Sequence, residues 1–353
     1  APDPYTAVQS YTVDKVTLGE KTVNGIRTSA YGNPNLKPER GEEFELGFDL
    51  GIMDGRMGAE FTYYDKQMND VIVLVALPPS GGFPVSRFEN LGSTRNSGVE
   101  LGLTGTPVRS RAFTWDTRVN LATNRNRLES FGTATKVFEA VGSQAYIPAG
   151  ATVRQEHRAG YPLAGYWVIG PQRDENGNIK YNAAGTAVVL DSVRTYGGTP
   201  VPTREVGFSN TFTLFQNLRV YSLFDYRGGH HLMNFKEYNR CVSNANCKLV
   251  NDPQATPQEI ARARSDATMY LERADFVKLR DLSLTYTLPS RVLRVAGASD
   301  LSFTLAGHNL ALWSDYSGLD PEVNTGANRS FVRTDAYAAP MTRRYSVSVN
   351  LSY

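Results

Sequence analysis

Apolar and polar side chains alternate in runs of seven to fifteen residues that recur along the chain from residue 42 to its end. That period belongs to a strand with two unlike faces. EEFELGFDL (42–50) sets Phe44, Leu46, Phe48 and Leu50 against Glu43, Glu45, Gly47 and Asp49. The same pattern recurs in RMGAEFTYYDK (56–66), GVELGLT (98–104), FTWDTRVNLATNRNR (113–127), VGFSNTFTLF (206–215), LRVYSLFDYR (218–227), FVKLRDLSLTYTL (276–288), LSFTLAGHN (301–309) and RRYSVSVNLSY (343–353). These segments predict about nine strands. Within 113–127, Phe113, Trp115, Val119 and Leu121 oppose Thr114, Asp116, Arg118, Asn120 and Asn124, a second face too polar for a core. At the end, Tyr345, Val347, Val349, Leu351 and Tyr353 oppose Ser346, Ser348, Asn350 and Ser352. Helix signal is sparse, and PQEIARARSD (257–266) is the best candidate.

The connections carry more information than the strands. They run short (51–55), long (67–97), short (107–112), long (128–205), a two-residue turn at Gln216-Asn217, long (228–275), medium (289–300) and long (310–342). In an antiparallel meander this alternation gathers the long loops at one end and the tight turns at the other. A membrane barrel has that layout, with long extracellular loops and short periplasmic turns, whereas structureless loops of such length count against a compact soluble domain. The fold class expected is therefore all-β, an antiparallel transmembrane β-barrel. Its apolar faces meet outer-membrane lipid, and Asp116, Arg118, Asn120, Asn124, Asp225 and Arg227 line the lumen. If the last strand ends in the periplasm, the strand at Glu42 starts outside the cell. Complete bacterial barrels have an even strand number and both termini inside. Nine strands beginning outside thus predict part of a larger barrel, or a further strand in YTVDKVTL (11–18). Residues 1–41 read as an extracellular loop with a possible partial strand, and 42–353 as the barrel portion.

Composition narrows the partners. The net charge of +2 over 353 residues, with no run of five Lys or Arg, argues against nucleic acid. Tyrosines (19) outnumber phenylalanines (16) and tryptophans (3), which suits rings that sit half wet. No run of 18 apolar residues is present, so a membrane-spanning helix is excluded, though barrel strands need only about 9–11 residues. APDPYTAVQS has neither the basic nor the apolar region of a signal peptide. Cys241 and Cys247 stand close together in RCVSNANCKL. A disulfide closing a small loop in an oxidising compartment is the favoured reading, with two free thiols as the alternative. No histidines cluster with them, so no metal site is assigned.

At this point the residues resemble a known family. NPNLKPERGEEFELGFD (33–49) is similar to the stretch N-P-x-L-K-P-E followed by a strand in TonB-dependent outer-membrane receptors, and NSGVELGL (96–103) resembles their next strand opening. GTPVPTREVGFSNTFTLFQNLRVYSLFDYRGGH (198–230), ADFVKLRDLSLTYTLP (274–289), GHNLALWSDYSGLDPEV (307–323) and PMTRRYSVSVNLSY (340–353) resemble, in order and spacing, the C-terminal half of the SusC/RagA branch. The resemblance implies a 22-strand barrel in the bacterial outer membrane that imports oligosaccharides, peptides or similar nutrients. It also implies a plug in the lumen, a SusD-like lipoprotein lid, and TonB as energy source. The plug and TonB box of the family have no counterpart in these residues, and Tyr353 stands where Phe is the commoner ending.

Candidate chemistry is confined to binding. There is no Gly-x-Ser-x-Gly elbow, phosphate loop or HExxH, and no catalytic residue or cofactor is assigned. In DENGNIKYNAAG (174–185), Asp174, Asn176 and Asn178 alternate as in a calcium loop, but Ile179 replaces the required Gly, and an Asn-Gly turn explains the segment better. The long loops offer Tyr161, Tyr166 and Trp167, then Trp313, Tyr316 and Asp320, as groups able to stack on and hydrogen-bond a nutrient ligand. The alternative is that these rings pack the loops together or form the interfacial girdle. His230 and His231 read as a loop-mouth pair facing solvent or ligand. Two rival readings remain: a plugless barrel serving as a binding or structural subunit, and a soluble carbohydrate-binding β-sandwich.

Overall fold

The computed structural model describes residues 7–76, 86–90, 92–131, 138–139, 152–289, 293, 299–325 and 333–352. A first hairpin, β1 (Ser10–Leu18) and β2 (Lys21–Ala30), pairs only within itself. β3 (Arg40–Ile52) and β4 (Met57–Asn69) start the main sheet, and the hairpin β5 (Ile72–Ala76) and β6 (Ser86–Asn90) lies in the connection after them. β7 (Ser93–Arg109) and β8 (Phe113–Ser130) extend the sheet. The next connection folds into four short strands of its own, β9 (Phe138–Glu139), β10 (Val153–His157), β11 (Gly165–Val168) and β12 (Thr195–Gly198). β13 (Arg204–Leu214) and β14 (Leu218–Gly228) return to the main sheet. The third long connection holds β15 (His231–Met233), α1 (Phe235–Tyr238), α2 (Pro257–Ser265) and β16 (Leu271–Arg273). β17 (Phe276–Thr287), β18 (Asp300–Ser314) and β19 (Arg344–Ser352) complete the wall.

The wall is a nine-stranded antiparallel meander in the order β3-β4-β7-β8-β13-β14-β17-β18-β19. All nine strands expected from alternation are present. YTVDKVTL does form a strand, β1, but it lies outside this sheet. Long and short connections alternate, so the elaborated loops share one end of the sheet and the tight turns share the other.

Register explains why alternation was so readable. Side chains directly across neighbouring strands lie on the same face, and here most rows keep one character; the exception on the apolar face is Thr117, Asn210 and Ser222, where the Asn210 side-chain oxygen accepts from Trp115 Nε1 at 3.0 Å. Trp115, Phe212, Val220, Leu284, Leu305 and Val347 form one apolar row across six strands. Phe48, Phe61, Leu101, Leu121, Val206, Tyr226, Val277 and Trp313 form another across eight. On the opposite face run Glu60, Gly102, Asn120, Gly207, Asp225 and Lys278. Phe44, Leu46, Phe48, Leu282, Leu284, Leu305, Tyr345, Val347 and Val349 are all exposed. An apolar surface of this extent is foreign to a soluble monomer and fits the acyl chains of a bilayer. The stripe seen in YSVSVNLSY is part of it, although Tyr353 lies outside the described residues.

One turn differs from expectation. β13 ends at Leu214, so the connection is Phe215-Gln216-Asn217 rather than Gln216-Asn217 alone. Phe215 and Gln216 take φ of 50° and 66°, and the Asn217 N–H donates to the Leu214 carbonyl at 3.1 Å. Both central residues of a tight hairpin turn take positive φ to follow the strand twist, and the chain tolerates it without glycine.

Candidate functional site

At the loop end of the wall, β17 carries a bulge. Val277 and Leu279 continue the outer row, Arg280 is the extra residue relative to β14, and the apolar positions resume at Leu282 and Leu284. Bulges re-aim side chains, and here Lys278 and Arg280 both meet the turn Asp320-Pro321-Glu322 from the last long loop. Lys278 Nζ donates to Asp320 Oδ2 and to Glu322 Oε2, each at 2.7 Å. Arg280 donates to both Glu322 oxygens at 2.8 and 2.7 Å, and its Nε donates to Asp225 at 2.9 Å. Arg227 stands 3.5 Å from Asp225 and 3.8 Å from Glu322. Burial would raise the Glu322 carboxyl, but the hydrogen bonds from Arg280 and Lys278 outweigh it and hold the group at about 2. A loop is thereby clamped onto the polar face of the wall by buried charge.

The long loops form a second core above the wall. Val153, Tyr166, Met233, Ala267 and Tyr270 pack with the disulfide-bonded Cys241 and Cys247. Leu232, Ala274, Tyr316 and Val323 make an adjoining cluster. The Tyr166 hydroxyl donates to the Arg333 carbonyl and accepts from the Met233 N–H at 3.3 Å, joining three loops at one atom. The Tyr316 hydroxyl donates to Asp335 at 3.1 Å. Helix α2 is secured by a reciprocal cap between Thr256 and Glu259, with Pro257 in its first turn. Glu237 lies beside the two sulfurs, but both cysteines are spent in the disulfide and offer no thiolate to a metal.

This geometry redistributes the residues expected to bind ligand. Tyr166, Trp167, Tyr316 and Asp320 are buried, because their rings and carboxylate hold the loops to one another and to β17. Trp167 sits against Tyr161, Tyr196 and the Arg158 guanidinium, which lies 3.7 Å from its ring centre. Trp313 is not a loop residue: it ends an apolar row on β18 and is 52% exposed on the outer face. His230 does not face solvent, being only 1% exposed, and burial beside Arg333 lowers its pKa to about 4. His231 is half-buried with its ring packed on Gly198. Of the loop aromatics singled out in sequence, Tyr161 alone keeps substantial solvent exposure at the loop end.

The six residues expected on the polar face do share it. Asn120 lies in one cross-strand row with Asp225, and Arg118 and Asp116 follow at alternate positions on β8. Asn124 accepts from the Tyr64 hydroxyl at 3.3 Å, and Arg227 faces Glu205 across β13. Glu60, Glu100, Asn120, Glu205 and Asp225 line a concavity of about 410 Å³ on this face. Lys278, Arg280, Glu322 and Arg333 were not singled out in sequence. The slip of the apolar phase from odd to even positions across Arg280 was the available signal for the first two.

Residues 1–232 match the family model described as TonB dependent receptor-like, beta-barrel. TonB-dependent receptor P3 of Formosa agariphila is 23% identical over 378 residues, covering 99% of this chain and 38% of that protein. TonB-dependent receptor P26 of the same organism is 27% identical, covering 92% and 35% respectively. TonB-dependent receptor SusC of Bacteroides thetaiotaomicron is 23% identical, covering 95% and 34%. The structure of the RagAB peptide transporter shares the fold at a TM-score of 0.77 and 22% identity, covering 99% of this chain and 39% of that one. The chain thus spans between a third and two-fifths of the length of these relatives. By its wall, its loop layout and the family match, the chain belongs to the TonB-dependent receptor-like β-barrel family.

Proposed function

We propose that this chain forms part of the barrel and the extracellular loops of a SusC/RagA-type transporter in the bacterial outer membrane, importing an oligosaccharide, a peptide or a similar nutrient. The observation that carries the reading is the two-faced wall: apolar rows across most of the outside, and a polar face with a 410 Å³ concavity inside. Ligand is captured at the loop end, a plug in the lumen rearranges under force from TonB, and cargo passes along the polar face. A SusD-like lipoprotein covers the loops. The chain acts by binding and passage, not by catalysis, in keeping with relatives that are named as receptors. The test is uptake of a panel of labelled oligosaccharides and peptides by cells with and without the gene. Gene-dependent uptake that stops on adding a protonophore supports the reading. Gene-dependent uptake indifferent to the proton gradient contradicts it and favours a plugless barrel.

A further inference from the structure

Few buried side-chain polar atoms lack a hydrogen-bond partner among the described residues, and three of the five fall within Arg227–His231: Arg227 Nε, His230 Nδ1 and His231 Nδ1. A native structure leaves such groups unpaired only for a reason, commonly an absent water, ion or ligand. The His231 ring packs on Gly198; Arg227 and His230 are the other two. Among the described residues, the Arg227 side chain donates no hydrogen bond and keeps only the loose pairs to Asp225 and Glu322 at 3.5 and 3.8 Å.

A third donor converges there. Leu232, two residues after His230, packs against Tyr316 and Val323, and Met233 bridges Thr334 in parallel. This brings Arg333, whose backbone is fixed by Gln155 and Tyr166, within electrostatic range of both Arg227 and His230. The Arg333 guanidinium forms no ion pair or hydrogen bond with any described residue. Of the nearby carboxylates, Glu322 and Asp225 are engaged by Arg280 and Lys278, and Asp275 by Arg273 and the Gly229 N–H, while Glu205, opposite Arg227 across the sheet and within electrostatic range of Arg333, is exposed and forms no ion pair with either.

We infer that Arg333, Arg227 and His230 form a carboxylate-binding subsite at the loop end of the lumen. A planar guanidinium with free donors matches a carboxylate in two-point geometry, and the buried imidazole supplies a further N–H from its Nδ1 tautomer. The carboxylate comes from a peptide C-terminus or from an acidic sugar. The inference rests on the transporter reading only in treating the carboxylate as cargo.

Calorimetry on the full-length receptor in detergent tests it, with hexa-alanine as free acid against its C-terminal amide, and trigalacturonate against its methyl ester. The result expected is that at least one acid binds tenfold or more tightly than its neutral partner. That preference disappears in Arg333→Gln and is retained in part in Arg333→Lys, both with wild-type heat-modifiable gel mobility. A dependence on the peptide acid or on the uronate identifies the source. Absence of any acid preference in the wild type, or its persistence in Arg333→Gln, overturns the inference. Because no uptake is measured, a receptor that transports its nutrient but shows no acid preference removes this subsite and leaves the transporter reading intact.

Discussion

Lys278 on β17 and Asp320 in the last long loop meet at 2.7 Å with both side chains almost fully buried. A buried pair adds little over an apolar replacement of both partners, but removal of one partner strands the other, at a cost of about 3–5 kcal/mol. Lys278→Met strands Asp320 and also frees one side of Glu322, so it lowers the temperature of the heat-modifiable gel transition sharply. Asp320→Asn is milder, because Glu322 still holds Lys278 at 2.7 Å. Equal transitions for wild type and Lys278→Met contradict the clamp.

Acid weakens the loop core through His230. Its folded pKa is about 4, against an ordinary value of 6.5, so the folded state disfavours the proton. Stability from the neutral ring is complete above about pH 6.5 and falls as pH drops toward 4, by at most about 1.4 kcal/mol per pH unit. His157 and His231 are lowered by burial and act with the same sign. Glu322, held at about 2 against an ordinary 4.5, adds its own loss only below pH 4.5. Unfolding temperatures measured from pH 7 to 4 fall in the wild type and fall less in His230→Asn. A flat profile in the wild type contradicts the buried neutral imidazole.

The disulfide ties a short segment, Cys241 to Cys247, inside the loop core. Closing a loop of this size stabilises by about 2 kcal/mol on chain-entropy grounds. Replacing both cysteines with alanine therefore loosens the third connection without undoing the wall. Limited proteolysis should find new cleavage between 229 and 275 while heat-modifiable mobility stays. Loss of that mobility would show that the disulfide supports the barrel itself.

The wall was legible in sequence because its physical cause is local. A strand between lipid and a wet interior has to alternate, and its neighbours repeat the same choice row by row. The loops were not legible, since their side chains are sorted by contacts far apart in the chain. Tyr166 and Trp167 look alike as loop aromatics beside Tyr161, yet the fold buries two and leaves the third exposed. Trp313 resembled a loop residue because β18 runs on to Ser314, past the last predicted strand position. Lys278 looked like one more polar position, and only the turn at Asp320–Glu322, some 42 residues later, makes it part of a clamp.

The claim that the apolar rows face lipid is tested most directly by comparing Leu284→Arg with Ser283→Arg, adjacent residues of β17 on opposite faces. The measurement is the stability of each variant folded in outer membranes, read from heat-modifiable gel mobility against temperature. Arginine at Leu284, on an outer row near the turn end of β17, should cost more than about 1 kcal/mol, short of the about 2–4 kcal/mol of the bilayer midplane, and arginine at Ser283 should fall within about 0.5 kcal/mol of wild type. Equal costs at the two positions, or folding of the wild type in water without detergent or membrane, would contradict it.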